Sequence, residues 1–382
     1  MSAARPTDAR EHLDADVVVV GLGIHGSATV LECALRGLRV IGIDRFEPDH
    51  TRGSSHGATR MIRRAYPSPV WNPLVDRAYS GWDRWAGLAG RSFVHTTGGL
   101  YAHARPGSLQ GPGCGLLDRD DFTTVMPSLA VPAGYAAVHD PNAGVVEAAQ
   151  ALAFARSEAA ARGADLRFGV AYQGWRPAEE GDGIVVDTDA GTITTAKLVL
   201  AVGPWAAEAV PELAGIFEVW RILTVTARAG QEVAAAPLLG SFSVDLPEGL
   251  VFGLPEAGGH GLKLGVDAGE VWDPAVAPAP PTEEEIDHLR SLLQRFVPAA
   301  DVEHLDAVAC LYTMTPDKRF VVGALPWAPD VLLAAACSGH GFKFGPAIGE
   351  ALADLVQGLP RPDLDFLAVE RFGVADGSLE TS

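Results

Sequence analysis

The 382-residue chain predicts an α/β protein of two domains, α+β in their arrangement: a nucleotide-binding domain of parallel sheet, interrupted by an inserted domain of mixed sheet. Three observations predict it. An apolar, β-branched run near the N-terminus leads straight into a glycine-rich turn and a helix. Buried-strand segments recur in the middle and near the end of the chain. Between them lies a stretch whose apolar residues alternate, as in sheet strands with one covered face.

Asp16–Val20 is apolar without alternation, the pattern of a central parallel strand buried on both faces. It runs into Gly21, Gly23 and Gly26, spaced G-x-G-x-x-G, after which Ser27–Arg36 reads as a helix closed by Gly37. A second apolar strand, Leu38–Ile43, ends at Asp44. Gly21 permits the tight turn, Gly23 lets the backbone approach a pyrophosphate, and Gly26 lets helix and strand pack closely. The helix start offers N–H groups to phosphate. Asp44, eighteen residues past Gly26, is placed to accept from ribose hydroxyls. Glycines, strand, helix and acid together specify a Rossmann-type dinucleotide site. The motif does not choose between NAD and FAD, but its place at the extreme N-terminus is that of many flavoproteins and favours an FAD-binding domain.

Thr51–Tyr66 (TRGSSHGATRMIRRAY) is polar, basic and without strand periodicity, and reads as a ligand-contacting loop and helix start. Trp71–Leu88 is a helix, followed as far as His139 by short segments broken by glycine and proline, among them PGSLQGPGCG. Glu147–Arg162 is an alanine-rich helix and Ala164–Tyr172 a strand. TITTAKLVLAVGPWA supplies a further buried strand ending at Gly203 and Pro204. Phe217–Lys263 alternates as sheet strands do, and Glu283–Arg295 is a helix after the loop PAVAPAPPTEE. Phe320–Val322 and Val331–Ala336 return to buried-strand character, and GFKFGPAIGEALADLVQG closes with a helix. Residues 14–80, 140–215 and 305–382 are thereby assigned to the nucleotide domain, and residues 81–139 and 216–304 to the inserted substrate domain.

Lys+Arg 29 against Asp+Glu 48 gives a net charge of −19. Such a surface repels nucleic-acid phosphates and anionic membranes. No apolar run approaches the roughly 18 residues of a membrane helix, and the polar N-terminus is unlike a signal peptide. Cys33, Cys114, Cys310 and Cys337 follow neither a metal-ligand nor a disulfide-framework spacing. The expectation is a cytoplasmic monomer with reduced thiols and no metal, nucleic acid or membrane partner.

Four segments carry a family resemblance: GSSHGATRMIRRAY (53–66), GLKLGVD (261–267), CLYTMTPDKRF (310–320) and CSGHGFKFGPAIGE (337–350). In order and spacing, along almost the whole chain, they resemble the monomeric sarcosine oxidase family of FAD-dependent amine oxidases. That group includes N-methyltryptophan oxidase, pipecolate oxidases, fructosyl amino acid oxidases and cyclic-imine oxidases. The resemblance implies FAD attached covalently through Cys310. Gly21, Gly23, Ile24, His25, Gly26, Asp44, Arg45, Thr59, Arg60, Val170, Met314, Gly341, Phe342 and Lys343 would lie along it. Arg63 and Lys343 match the ligands of a substrate carboxylate, a pairing in which arginine supplies a rigid fork. Lys263 matches a lysine beside the flavin that promotes reaction with oxygen, since a cation stabilises the negative charge developing there. Tyr312 and His340 shape the pocket, Arg60 joins the active site, and Arg64 stays on a solvated face. Cys337 matches no attachment site and reads as core.

The implied reaction is oxidation of a small secondary or cyclic amine carboxylate to an imine, with molecular oxygen leaving as hydrogen peroxide. Three departures bear on the substrate. Phe252 stands where sarcosine oxidases place a tyrosine, Asp267 where they place a histidine, and Met314 where a polar residue is usual. They argue against sarcosine itself and for a larger or cyclic amine, or an amino acid of specialised metabolism. Competing readings are an FAD-dependent dehydrogenase using a quinone or carrier protein, an NAD-dependent dehydrogenase, and a catalytically idle flavoprotein.

Overall fold

The computed structural model describes residues 13–104, 109–179, 183–335 and 337–374. The N-terminal segment up to residue 12, the first residues of PGSLQGPGCG and the end of the strand expected over Val331–Ala336 lie outside the described residues.

The apolar run Ala15–Val20 occupies the middle of an eight-stranded sheet among the described residues. Val40–Asp44 and Gly191–Leu200 flank it, both parallel, and Asp165–Phe168 extends the sheet beyond Val40–Asp44. Ala328–Ala335 joins in parallel at the end of Gly191–Leu200, while Ile184–Thr188 and Tyr172–Pro177 add antiparallel strands at its start. Helices Ile24–Leu35, Asn72–Ala89, Ala148–Ala161 and Gly345–Val356 bury one face of this sheet in a continuous core. A second apolar cluster covers the other face. Cover on both sides is why these strands read as unbroken apolar runs.

The first helix starts at Ile24, a turn earlier than its composition suggests. Gly26 lies inside it because a Cβ there would fall 1.8 Å from the Gly21 carbonyl oxygen. Only glycine lets helix and strand approach so closely.

A second sheet, of nine strands among the described residues, contains Gly99–His103, Ala136–Asp140, Ser241–Leu246, Gly249–Leu254, Leu262–Asp267 and Glu218–Ala227. Helix Glu283–Phe296 packs on its core face, opened by a capping box in which Thr282 and Glu285 satisfy each other's backbone N–H groups.

Three expectations are corrected. Leu305–Met314, grouped on sequence with the nucleotide domain, pairs antiparallel with Glu218–Ala227 from Leu305 to Met314 and so belongs to the second sheet. The segment expected as an irregular loop contains the strand Thr59–Ile62, paired with Gly144–Glu147 in a small three-stranded sheet. Four residues that include Arg60 are too few to show a period. The single strand expected over Ala164–Tyr172 is two, Asp165–Phe168 and Tyr172–Pro177, because Gly169 takes φ +70° and turns the chain between them.

Candidate active site

Both sheets line one long cavity of about 870 Å³, within the size range of cofactor and ligand sites. One end is built from the N-terminal turn. A Cβ on Gly21 would lie 2.5 Å from the Ala201 carbonyl oxygen, and one on Gly23 would lie 3.0 Å from Ser55 Oγ. The first helix has no side-chain cap, and its Ile24 N–H donates to Ser55 Oγ at 3.0 Å. Asp44, buried at the end of its strand, accepts from the N–H groups of Leu22 (2.8 Å) and Phe46 (3.0 Å) and still faces the cavity. Arg156 reaches over from helix Ala148–Ala161 and donates to the Leu22 carbonyl through Nε (3.1 Å) and to the Pro48 carbonyl through a terminal nitrogen (2.7 Å). The turn is therefore held from both sides before any ligand arrives.

The other end gathers cations. Arg60, Arg63, Lys263 and Lys343 all line it, and among the described residues none of the four is in an ion pair with a carboxylate. Arg60 is fixed instead by backbone carbonyls, donating to Thr59 (2.8 Å), Ser54 (2.8 Å) and His56 (2.6 Å). Arg63 lies over the rings of Tyr66 (5.0 Å) and Tyr101 (5.3 Å), faces that favour a cation without neutralising it. Burial, with Arg60 nearby, pushes Lys263 down from 10.5 to about 7. Burial, with Arg63 nearby, holds Lys343 well below its ordinary range. Two arginines and two lysines whose ammonium forms are disfavoured by burial, none ion-paired to a carboxylate among the described residues, form a site that an anion would stabilise in its cationic state.

Cys310 sits on Leu305–Met314, paired with Ile222 of the neighbouring strand, and lines the same end. Burial raises its thiol, while Arg60 and then Lys263 pull it back toward the thiolate. Ser54 Oγ donates to the Leu311 carbonyl at 2.5 Å, tying the segment that carries Arg60 to the strand that carries Cys310.

Lys343 is 5% exposed and is positioned by a chain of hydrogen bonds. Its Nζ donates to the His340 carbonyl (2.6 Å) and to Tyr66 Oη (3.2 Å). His340 Nε2 donates to the Lys318 carbonyl (3.1 Å), since a carbonyl only accepts. Its Nδ1 is then an acceptor for the Tyr66 hydroxyl at 3.3 Å. Burial and the Lys343 charge hold His340 well below its usual range, consistent with this neutral tautomer. The rings of Trp71, Phe320 and Phe344 clamp Tyr66 and His340 from the sides.

The cavity thus brings together Gly21, Gly23, Ile24, His25, Asp44, Arg45, Thr59, Arg60, Arg63, Val170, Phe252, Lys263, Asp267, Cys310, Tyr312, His340, Gly341, Phe342 and Lys343. His25 Nε2 donates to the Gly341 carbonyl at 3.2 Å, linking the two ends of the sequence. Two expected residues are placed elsewhere. Gly26 is a packing position, and Met314 is buried at the end of its strand without reaching the cavity wall. Arg64 turns away to Asp76 and the ring of Tyr79, on a loop. Cys337, read as core, is a half-buried residue of the cavity wall.

Sequence reasoning missed Tyr66, which follows Arg63 by three residues, and His56. Burial together with Arg60 pushes His56 down to about 4, so it faces the cavity uncharged. Both lie inside the segment GSSHGATRMIRRAY, and the motif was their only signal.

A glycine cradle with a facing acid, joined through a continuous cavity to a cationic pocket that holds a cysteine, fits FAD: phosphates and ribose at the first end, the electron-accepting ring at the second. The comparisons agree. The model of the FAD dependent oxidoreductase family matches residues 16–355. A monomeric sarcosine oxidase of Streptomyces avermitilis is 32% identical over 359 residues, covering 89% of this chain and 93% of the relative. An N-methyl-L-tryptophan oxidase of Yersinia pestis is 29% identical, covering 94% of this chain and 100% of the relative. Among solved structures, NikD, an unusual amino acid oxidase essential for nikkomycin biosynthesis, superposes with a TM-score of 0.80 at 25% identity, over 93% of this chain and 97% of that one. This chain belongs to the FAD-dependent oxidoreductase family, in the group of flavin amine oxidoreductases that includes monomeric sarcosine oxidase and N-methyltryptophan oxidase.

Proposed function

We propose that the chain carries FAD covalently through Cys310 and oxidises a small secondary or cyclic amine bearing a carboxylate, forming an imine and, with molecular oxygen, hydrogen peroxide. The observation that carries this reading is the pair Arg63 and Lys343, neither ion-paired to a carboxylate among the described residues and both facing the cavity end where Cys310 and Lys263 also lie. A substrate carboxylate supplies the missing counter-charge, and the Arg63 fork with the Lys343 ammonium fixes its orientation.

Bound FAD supplies the two-electron acceptor; the protein's part is binding, orientation and charge. Gly21, Gly23, Asp44 and the open helix start hold the nucleotide portion. Arg60 and Lys263 favour the Cys310 thiolate, the nucleophilic form that a link to the electron-poor methyl edge of the isoalloxazine would require. Arg63 and Lys343 hold the substrate carboxylate, and the Tyr66–His340 chain keeps Lys343 aimed into the cavity. Lys263 provides the cation that stabilises negative charge developing on oxygen. Phe252 and Tyr312 close the pocket with apolar surface and exclude water from the reacting carbon.

The test is a peroxide assay on purified yellow protein with a panel of N-methyl and cyclic amino carboxylates, each beside the matching amine without a carboxylate. The carboxylate-bearing members are expected to yield peroxide, with kcat/KM at least about 10²-fold above their partners, the worth of a buried charge pair. Turnover of the plain amines at equal efficiency would overturn the substrate class. Dye reduction without peroxide would move the chain to a dehydrogenase with another acceptor.

A further inference from the structure

The Arg63–Lys343 pair leaves the Asp267 carboxyl of the pocket unused. Asp267 ends the strand Leu262–Asp267 and faces the cavity on the same side of the strand as Lys263. Its Oδ1 is buried and has no hydrogen-bond partner among the described residues. A Cβ placed on Gly339 would fall 3.2 Å from that oxygen and 2.7 Å from the Tyr312 ring, so Asp267 is packed against the turn that leads to His340 and Lys343. Burial pushes its carboxyl up, and the charges of Lys318 and Arg63 only partly reverse this. A buried acceptor left unsatisfied is costly, and the residue that carries it lines the space a substrate would fill.

We propose that Asp267 is a specificity determinant that accepts a hydrogen bond from a second donor on the substrate, above all a cationic one, lying beyond the amine that is oxidised. The proposal rests on the amino-carboxylate reading of the cavity. Three physical points select this occupant. The substrate carboxylate belongs to the cations and is repelled by Asp267. The reacting amine must be neutral to release hydride, so a carboxylate clamped on it as ammonium would oppose the reaction, whereas a donor elsewhere is free to stay charged. The strand face between Lys263 and Asp267 is apolar, because the Phe252 ring lies over Gly265, where an added Cβ would meet it at 2.6 Å. The substrate class is therefore an amino carboxylate with an apolar spacer that ends in an amine, guanidine or hydroxyl.

The test uses the intact holoenzyme and non-oxidised probes: 4-aminobutanoate through 8-aminooctanoate, each against the fatty acid of the same chain length, pentanoate through nonanoate. Dissociation constants are read from the shift in flavin absorbance. In at least one pair, Asp267→Asn is expected to shift the preference for the amino acid over the fatty acid by about tenfold or more, the worth of one charge-assisted hydrogen bond. Asp267→Glu, which restores the charge, is expected to recover part of it. An unchanged preference across the whole series in Asp267→Asn, with the flavin spectrum intact, overturns the proposal. So does a wild type that binds every fatty acid at least as tightly as its amino partner and is unmoved by the substitution. Peroxide formation from N-methyl amino acids with no Asp267 effect refutes this inference alone. A clear Asp267 effect with no peroxide from any of them refutes the oxidase reading alone.

Discussion

Lys343→Ala is expected to raise the KM of the carboxylate substrate by about 10²–10³-fold, with a smaller fall in kcat and little change in the flavin content of the protein. The size follows from the setting. Lys343 is buried, its hydrogen-bond acceptors are a carbonyl and a hydroxyl, and among the described residues no carboxylate pairs with it. Removing it would leave the substrate carboxylate half-paired in a desolvated site, which costs more than losing a surface ion pair. Arg63→Ala should behave alike, and the double variant should cost less than the two combined, because both act on one group. An amine without a carboxylate should ignore all three substitutions. Tyr66→Phe is the subtler control: it removes only the hydroxyl between Lys343 and His340, so it should raise KM without abolishing turnover.

The second large effect concerns oxygen. Lys263→Met is expected to slow oxygen consumption by the chemically reduced holoenzyme by about 10²–10³-fold, the usual loss when one preorganised charge-stabilising group is removed. Reduction by substrate should be nearly unaffected. The pH dependence has a definite sign. Only the ammonium form of Lys263 can stabilise negative charge, and in the cofactor-free chain that form is lost as pH rises through about 7. Negative charge beside it favours the ammonium, so in the holoenzyme the fall in oxygen reactivity should come at or above that pH, and the Lys263→Met variant should lack it. Stability gives an independent check. The unfolded lysine keeps its proton to about 10.5 while the folded one has lost it near 7. The unfolded state therefore binds more protons in that window, and stability of the cofactor-free protein rises with pH across it. Lys263→Met should remove this part of the rise.

The cofactor half of the molecule was legible because its signals are local. A buried parallel strand, three glycines with distinct steric duties and an acid at fixed distance all lie within residues 16–44. The cationic end was legible only through motifs, since Arg60, Lys263, Cys310 and Lys343 come from separate strands and turns and meet by folding alone. Composition and periodicity could not say that Lys263 faces inward; by pattern it looks like a solvent-facing strand residue. Cys337 was misplaced for the same reason, because a cysteine after an apolar strand is usually core. Tyr66 carries no periodic signal, and its importance appears only when the turn bearing His340 and Lys343 folds onto it. Residues 305–314 were grouped with the nucleotide domain, and their pairing with Glu218–Ala227 was not legible, because the partners of a strand are set by tertiary contacts rather than by its own sequence.

The attachment of FAD to Cys310 bears on every one of these expectations, and acid precipitation of the purified protein tests it most directly. If the account is right, the washed pellet stays yellow, its mass exceeds that of the chain by one FAD less two hydrogens, and Cys310→Ser sends all the colour into the supernatant. A colourless wild-type pellet, with the whole of the pigment recovered in the acid supernatant, would contradict it.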